Sequence, residues 1–444
     1  MPPKLPTRYA LVGTGGRAPM FIDPIVRRFA DDAELVGLCD INPARLDYHS
    51  HRLREQLHYR DVPCFAADAF DRMVASTKPH CIIVTTIDAM HHEYIIRALE
   101  SGCDAITEKP MTIDDTRCRA ICDAVHRTGR KVRVTFNYRW EPSTTLAYKL
   151  LREGVIGDVV HVDMEYMLNT SHGADYFRRW HREKHQSGGL MVHKATHHFD
   201  LVNWWIDAVP QTVFAMGRLA FYGRSNAEAR GVDVPYDRYT GHDCGDDPFA
   251  LHLDKDAALR GLYLEAEKHD GYRRDQNVFG DRITIEDTMS VMVRYRTGVV
   301  LNYSLNAYLP REGFHVVFNG TGGRLELSQE HGSHIIGASS DGIPGTFEML
   351  KSRCIVQPMF GAPYEVEIPK AEGGHGGSDP LLQEQIFSSR APREPYGRNA
   401  GHGQGAASIL IGIAANRSFD TGQPVTISDL CPQLGDAARL SELE

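Results

Sequence analysis

Apolar segments alternate with amphipathic ones along the first third of the chain. The predicted strands are short runs of β-branched and other apolar residues, at 9–12, 35–40, 81–84, 104–107 and 132–136. A helical period of apolar residues predicts helices between them, from 18 to 29, at 91–100 and at 113–128. Such alternation predicts an α/β domain with a parallel, doubly wound sheet over residues 1–137.

The pattern changes after residue 137. One predicted helix, at 144–153, precedes longer segments of alternating apolar and polar residues, at 159–166, 288–296, 298–308, 314–319 and 324–328. A period of two predicts a large, mainly antiparallel sheet in an α+β domain covering residues 138–444. The polar stretch 221–286 is predicted to be an insertion, partly helical near 256–268. A last helix is predicted at about 408–418.

The first predicted strand ends in a glycine turn, Gly13-x-Gly15-x-x-Ala18, and a helix follows. Glycine allows the tight turn and a close approach of the backbone to a pyrophosphate, and the helix N-terminus offers free N–H groups. This context predicts a dinucleotide-binding Rossmann domain. The predicted cofactor contacts in the turn are Gly13, Thr14, Gly15, Gly16, Arg17 and Ala18.

Cofactor choice is predicted from Asp40, which ends the second strand. Its carboxylate would bind the ribose hydroxyls and repel a 2′-phosphate, so NAD is favoured over NADP. Arg45 is close in sequence. It could weaken that preference as a cofactor contact, or it could be a solvated helix residue.

Composition narrows the class of protein. The net charge of -9, with scattered Lys and Arg, argues against a nucleic-acid partner. No apolar run reaches the roughly 18 residues of a membrane span. The N-terminus lacks the apolar region of a signal peptide, which predicts a cytoplasmic protein with no membrane partner. The nine cysteines are irregularly spaced, with Cys118 and Cys122 one helical turn apart and no Cys-x-x-Cys, which predicts reduced thiols and no metal site.

Several motifs together resemble the Gfo/Idh/MocA oxidoreductases, the family of glucose-fructose oxidoreductase, inositol dehydrogenase and the rhizopine-catabolism proteins. The matching segments are 13–18, 84–88 with His91, 108–110, 136–139, 187–200 and 414–418. The resemblance implies a homo-oligomer, a dimer or tetramer, built on the sheet of the second domain. It also implies further cofactor contacts, namely Thr85, Thr86, His91, Glu108, Lys109 and Arg139.

Lys109 follows a predicted strand, at the sheet edge where α/β domains bind ligands, and Pro110 disfavours an α conformation there. Its amine can donate to a substrate hydroxyl, and it can join a proton relay if burial lowers its pKa. From the residues alone, a surface lysine at a strand end is equally compatible with the pattern. The family resemblance implies the catalytic role.

A second motif begins with Ser-Gly-Gly and predicts a helix with His193, His197 and Asp200 on one face. His198 points elsewhere and is predicted to be a buried, satisfied imidazole. Aligned on the glycines and Asp200, the family histidine falls on His197, which the resemblance implies is the general acid or base. The family's usual aspartate falls on His193, and Lys194 is also unusual for the family; both are predicted to contact substrate. The His193 and His197 spacing could hold a metal, but the glutamate of His-Glu-x-x-His is absent, so none is predicted.

Five further residues are predicted to contact the substrate. Tyr138 and Arg139 follow the last strand of the first domain, where they can face both cofactor and substrate. Tyr176 and Trp180 suit stacking on a polyhydroxylated ring, although a loop packed by aromatic residues is equally compatible. His375 lies among four glycines and is predicted to contact the ligand, the alternative being an exposed loop histidine.

These residues predict an NAD-dependent oxidoreductase that transfers a hydride between a secondary alcohol of a small sugar, cyclitol or glycoside and the nicotinamide. Lys109 and His197 would handle the hydroxyl proton. An alternative enzyme would use tightly bound NAD as a recycled oxidant, so that a keto-sugar intermediate permits elimination or glycoside cleavage. A third reading is a cofactor sensor without chemistry, which would need neither residue.

Overall fold

Two β-sheets organise the protein in this computed structural model, which describes residues 5–332, 352–370 and 377–443. The strands of the first sheet are β1 (Thr7–Val12), β2 (Ala33–Asp40), β3 (Cys64–Ala66), β4 (Cys81–Val84), β5 (Asp104–Thr107) and β6 (Val132–Val134). They pair in parallel in the order β3-β2-β1-β4-β5-β6. A two-residue strand, Ala400–Gly401, pairs antiparallel with β6.

Apolar side chains cover both faces of this sheet. The accompanying helices are α1 (Pro19–Asp23), α2 (Pro43–Glu55), α3 (Phe70–Thr77), α4 (His91–Glu100) and α5 (Asp115–Thr128). On β1, Ala10 and Val12 pack into one apolar core, whereas Tyr9 and Leu11 pack into another. A parallel sheet buried on both faces confirms the predicted α/β class.

The second sheet is long and mostly antiparallel, which confirms the predicted α+β part of the fold. Its strands are β7 (Val159–Asn169), β8 (Pro210–Arg218), β9 (Thr288–Tyr295), β10 (Val300–Leu309), β11 (Glu312–Gly320), β12 (Gly323–Gly332), β13 (Arg353–Pro358), β14 (Tyr364–Val366) and Val425–Thr426. From β14 the order is β14-β13-β12-β11-β7-β10-β9-β8, with Val425–Thr426 beside β8. Only the β7 and β10 pair is parallel among the described strands of this sheet.

The remaining helices are α6 (Pro142–Arg152), α7 (Thr170–Arg178), α8 (Lys184–Ser187), α9 (Gly189–His193), α10 (Thr196–Ile206), α11 (Arg224–Ala229), α12 (Ala257–Leu259), α13 (Glu267–Asp270), α14 (Ser378–Phe387), α15 (His402–Thr421) and α16 (Ile427–Leu430). Among the described residues, no helix is both long and apolar enough to cross a membrane.

Two predicted helices differ from the structure in extent. The helix predicted from residue 18 to 29 changes at Pro24, which has no N–H for the regular ladder, and a π-helical turn Pro24–Arg28 follows. The helix predicted at 408–418 is α15, which begins at His402 and ends at Thr421. Because of the glycines near its N-terminus, the start of α15 was not predicted from the sequence. Gly405 is required by packing. A Cβ there would lie 2.7 Å from the Cγ2 of Val134.

Part of the C-terminal chain returns to the first sheet. Phe387, at the end of α14, lies edge-on to Tyr9 with ring centroids 5.2 Å apart, and the Tyr9 hydroxyl donates to the Ile386 carbonyl. The segment from α14 to Gly401 therefore packs on the first domain, although the predicted boundary assigns it to the second.

Candidate active site

A cavity of about 1130 Å³ lies at the carboxyl ends of the parallel strands and extends to residues of the second sheet. Most of the predicted site residues line it, namely Gly13, Gly15, Gly16, Arg17, Asp40, Arg45, Thr85, Thr86, His91, Glu108, Lys109, Tyr138, Tyr176, Trp180, His193, Lys194 and His197. Thr14, Ala18 and Arg139 do not line it. His375 lies outside the described residues.

The glycine turn has the geometry expected of a dinucleotide site. Gly13 has a φ of +93°, and a Cβ there would lie 2.5 Å from the carbonyl carbon of Thr85, so only glycine fits. The Thr85 hydroxyl donates to the Gly13 carbonyl at 2.6 Å. Gly15 and Gly16 are left facing the cavity.

Thr14 and Ala18 support this turn from behind. The backbone N–H and the hydroxyl of Thr14 donate to the same oxygen of Asp40, at 2.5 and 3.0 Å. Ala18 is fully buried at the start of α1. The predicted direct cofactor contacts of these two residues are thus corrected to supporting positions, since their side chains face protein atoms.

The insertion covers the cofactor side of the cavity, and no pattern in the sequence predicted this contact. The Tyr263 hydroxyl accepts a hydrogen bond from the backbone N–H of Gly16 at 3.0 Å. Arg45 donates to the Leu262 carbonyl at 3.2 Å and to Asp270 at 2.7 Å. Arg45 is only 9% exposed, so the solvated alternative for this residue is wrong.

The residues around the turn fit a dinucleotide. The glycine turn before α1 suits a pyrophosphate, and Asp40 at the end of β2 suits ribose hydroxyls. Arg45 lies between two carboxylates, 3.5 Å from Asp40 on one side and bonded to Asp270 on the other. The local charge is therefore net negative where a 2′-phosphate would lie.

Lys109 is the centre of a buried chain of polar groups. Its Nζ donates to the His193 carbonyl at 3.0 Å and lies 3.4 Å from His193 Nε2. The other ring nitrogen of His193, Nδ1, lies 2.5 Å from Asp88 Oδ2. Asp88 follows β4, so the carboxyl ends of β4 and β5 bring Asp88 and Lys109 to one edge of the sheet. Asp88 was not predicted as a site residue, although its position after β4 could have indicated that it lies in the site.

Burial controls the protonation of this chain. Burial, and next the charge of Lys194, lower the pKa of Lys109 to about 7. Burial raises the pKa of Asp88 well above its usual range, and burial with the Lys109 charge holds the pKa of His193 well below its usual range. Both directions disfavour an ion pair between a charged imidazolium and a carboxylate at this position.

The histidine helix is not continuous, which changes the predicted face. It breaks between α9 and α10, where the N–H of Ala195 donates to the Leu190 carbonyl at 2.8 Å, one residue further than in an α-helix. His193 and His197 both reach the cavity, but Asp200 does not. The single stripe predicted for a regular helix is therefore wrong.

Arg139 and Asp200 form a buried ion pair away from the cavity. Two Arg139 nitrogens donate to the two Asp200 oxygens at 2.7 and 2.6 Å, and the side chains are 0% and 1% exposed. Arg139 also donates to Gln404 at 2.7 Å, on α15. The predicted cofactor and substrate contacts of Arg139 are corrected accordingly, because its guanidinium is occupied in joining three elements.

His197 lies at the cavity wall on an aromatic support. Its ring stacks on Tyr138 with centroids 4.4 Å apart and planes 12° apart. Lys194 donates to the Tyr138 hydroxyl at 3.2 Å and lies 4.8 Å above the Tyr166 ring. His198 is fully buried and hydrogen-bonds through Nδ1 to Tyr303 at 2.7 Å, but its Nε2 has no hydrogen-bond partner among the described residues, so the predicted satisfied imidazole is only half satisfied.

The cavity is also lined by a second chain of polar groups that was not predicted as a unit. The Tyr176 hydroxyl lies 3.0 Å from His172 Nε2, and His172 Nδ1 lies 2.7 Å from Glu312. Although burial opposes it, the hydrogen bond from His172 lowers the pKa of Glu312 to about 2. Burial raises the pKa of Glu141, also at the cavity, to about 8. The wall thus offers both an anionic and a protonated carboxyl group to hydroxyl-bearing ligands.

Comparison with known proteins agrees with this geometry. Residues 7–136 match the model for the oxidoreductase family's NAD-binding Rossmann fold, and residues 148–427 match its C-terminal alpha/beta domain. The Bacillus subtilis (strain 168) protein YteT is 36% identical over 420 residues, covering 93% of this chain and 95% of YteT. Inositol 2-dehydrogenase of Rhizobium meliloti is 27% identical over 184 residues, covering 41% of this chain and 51% of that protein.

A solved structure shares the fold over almost the whole chain. The WlbA dehydrogenase from Bordetella pertussis, in complex with NADH and UDP-GlcNAcA, matches with a TM-score of 0.62 at 17% identity, covering 95% of this chain and 98% of WlbA. Both family models and the full-length relative confirm the predicted oxidoreductase with its NAD-binding domain. The chain therefore belongs to the Gfo/Idh/MocA family of oxidoreductases.

Proposed function

We propose that the protein is an NAD-dependent oxidoreductase that acts on a secondary alcohol of a sugar, cyclitol or glycoside, with Lys109 and His197 at the reacting hydroxyl. The observation that carries this proposal is the buried chain from Lys109 Nζ through His193 to Asp88. An amine with a pKa of about 7 can accept a hydroxyl proton near neutral pH. A surface lysine would be fully protonated near neutral pH and could only donate a hydrogen bond to the hydroxyl.

The remaining residues orient this amine and hold its proton. The His193 carbonyl and Nε2 fix Lys109 Nζ, and Asp88 fixes the His193 ring through Nδ1. His197, on its Tyr138 support, is a second hydrogen-bonding partner for the substrate oxygen. Bound NAD would supply the nicotinamide that accepts the hydride.

The carbohydrate class is supported by the cavity wall and by the relatives. Carboxyl groups of Glu141 and Glu312 and the aromatic residues Tyr176 and Trp180 line the same space. Such a mixture suits hydroxyl groups and the apolar face of a ring. The name of the inositol dehydrogenase and the UDP-sugar in the WlbA complex point to the same chemistry.

NAD is proposed over NADP, because Asp40 and Asp270 both lie beside Arg45.

A homo-oligomer, a dimer or tetramer, is proposed to form through the second sheet. Its open face exposes Met216 and Met292, at 69% and 52%. Exposed apolar residues of this size on one sheet face are typical of an interface.

A second candidate function is favoured by the insertion. Tyr263 contacts the turn at Gly16 and Asp270 holds Arg45, so the insertion would hinder the exit of a bound dinucleotide. Retained NAD suits an enzyme that reoxidises its own NADH within one cycle, through a keto-sugar intermediate that permits elimination or glycoside cleavage.

One experiment tests both candidates. Sugars, inositols and glycosides are incubated with the enzyme and NAD while NADH absorbance and product masses are followed together. A product two mass units lighter (two hydrogens lost) with stoichiometric NADH supports the dehydrogenase. Cleaved or dehydrated product without NADH supports the recycled cofactor. Equal turnover by Lys109→Met would contradict the proposed site in either case, and Lys149→Met, outside the cavity, is the matched control.

A further inference from the structure

Three cysteines from distant parts of the chain meet in the interior, away from the cavity. Cys118 and Cys122 lie one turn apart on α5, and Cys431 follows α16 near the C-terminus. Their sulfur atoms all lie within 4.8 Å of one another, and all three residues are buried. From the sequence alone, only the α5 pair was visible and no metal site was predicted. The fold supplies the third thiol.

The two elements are held together around this cluster by independent contacts. Arg119, next to Cys118, donates from Nη1 to the Leu430 carbonyl at 2.5 Å. The Gln433 side chain donates from Nε2 to Asp123 on α5 at 3.1 Å. These contacts hold α5 and the segment around Cys431 side by side.

We propose that Cys118, Cys122 and Cys431 bind a thiophilic divalent cation, of which zinc is the expected occupant. Three thiolates are a ligand set that zinc accepts, and its Zn–S distance of about 2.3 Å places tetrahedral sulfur ligands roughly 3.8 Å apart. The cluster needs only small side-chain movements to reach that spacing. Soft sulfur ligands also exclude magnesium and calcium.

The surroundings of Cys431 provide a fourth position beside its sulfur. The Oε1 of Gln433 lies 3.4 Å from the same sulfur, and its amide is oriented by Asp123. Either this oxygen or a water completes the four-coordinate shell that structural zinc requires. The ion would join the C-terminal segment to α5 of the first domain.

The test uses the full chain, purified without chelator and analysed for metals by mass spectrometry. We expect about one zinc ion per chain in the wild type and in the control Cys354→Ser, whose buried thiol lies on β13. Cys431→Ser and Cys118→Ser should lose most of it. Far-ultraviolet circular dichroism and NAD binding confirm that these variants fold.

A second measurement keeps the proposal testable if a variant does not fold. Reduced wild-type protein stripped of metal is titrated with Co²⁺, and a sulfur-to-cobalt charge-transfer band should appear and then disappear when Zn²⁺ is added. Failure of the reduced protein to take up either ion would overturn the proposal. A disulfide between two of the three cysteines in freshly purified protein, or equal metal loss in Cys354→Ser, would also overturn it.

Discussion

The lowered pKa of Lys109 makes the pH dependence of turnover a direct test of the site. Under the proposed function, the neutral amine accepts the hydroxyl proton in the direction of alcohol oxidation. The value of kcat/KM should therefore rise with pH and level off above a midpoint near 7. An ordinary lysine, with a pKa of 10.5, would place this midpoint far into the alkaline range.

The change in the Lys109 pKa that is expected in a variant follows from the causes that lower this pKa. A fall from 10.5 to about 7 corresponds to roughly 5 kcal/mol in favour of the neutral amine, at about 1.4 kcal/mol per pKa unit. Burial is the largest cause and the charge of Lys194 is the second. Lys194→Met keeps the length of the side chain and removes the charge. We expect the Lys109 pKa to rise by about 1, which would leave about a tenth of the amine neutral at pH 7.

The assay is the initial rate of NADH formation at low substrate concentration between about pH 5 and 10. Lys194 also contacts Tyr138, so the informative quantity is the midpoint and not the absolute rate. Lys149→Met, whose charge lies outside the cavity, is the control and should leave the midpoint in place. A midpoint that stays or falls in Lys194→Met would refute this account of the Lys109 environment.

Four further variants test the neighbouring contacts. Asp270→Asn should free Arg45 and raise the affinity for NADP relative to NAD about tenfold. An unchanged ratio of the two affinities in titrations would show that the Asp270 carboxylate has no part in cofactor choice. Tyr263→Phe removes the hydroxyl on the glycine turn, so bound NAD should dissociate faster in stopped-flow fluorescence, and an unaltered rate would contradict the covering role of the insertion. His193→Asp places a carboxylate beside the Lys109 amine and should raise its pKa, which the midpoint of the pH profile measures; a lower midpoint would reverse the proposed electrostatics. His197→Gln should reduce turnover roughly 10²–10⁴-fold with the midpoint unmoved, and near-normal turnover would remove this residue from the reacting hydroxyl.

Local patterns were enough to predict the first domain. The strands at 81–84 and 104–107 and the helix at 91–100 match the structure at both ends. The two strands lie in a sheet that is buried on both faces, where a short apolar run is a strong signal. The glycine turn was also predictable, because Gly13 is required by backbone geometry that any residue with a Cβ would violate.

Contacts between distant segments were not predictable from the same patterns. A helical wheel placed His193, His197 and Asp200 on one face, but the break after α9 offsets His193 from the residues of α10, and Asp200 bonds to Arg139. Nothing in the polar composition of the insertion indicated that Tyr263 would reach the glycine turn. Cys431 is far from α5 along the chain, so its contact with the two α5 cysteines was not predictable either. In each case tertiary packing decides which side chains meet.

His193 and Lys194, the two departures from the family pattern, affect the same property of this site, which is the pKa of Lys109. An aspartate at the position of His193 would place a negative charge beside the Lys109 amine and stabilise the ammonium form. Here that position holds an imidazole whose burial keeps it neutral, and the next residue, Lys194, adds a positive charge. Both changes act in one direction, since Lys194 lowers the pKa of Lys109 and the imidazole does not add the negative charge that an aspartate would. Under the proposed function, the pair favours an amine that can take a proton near neutral pH over an orienting ammonium group. Asp88 is needed at a short distance behind His193 because a neutral imidazole alone would not fix which ring nitrogen faces the lysine.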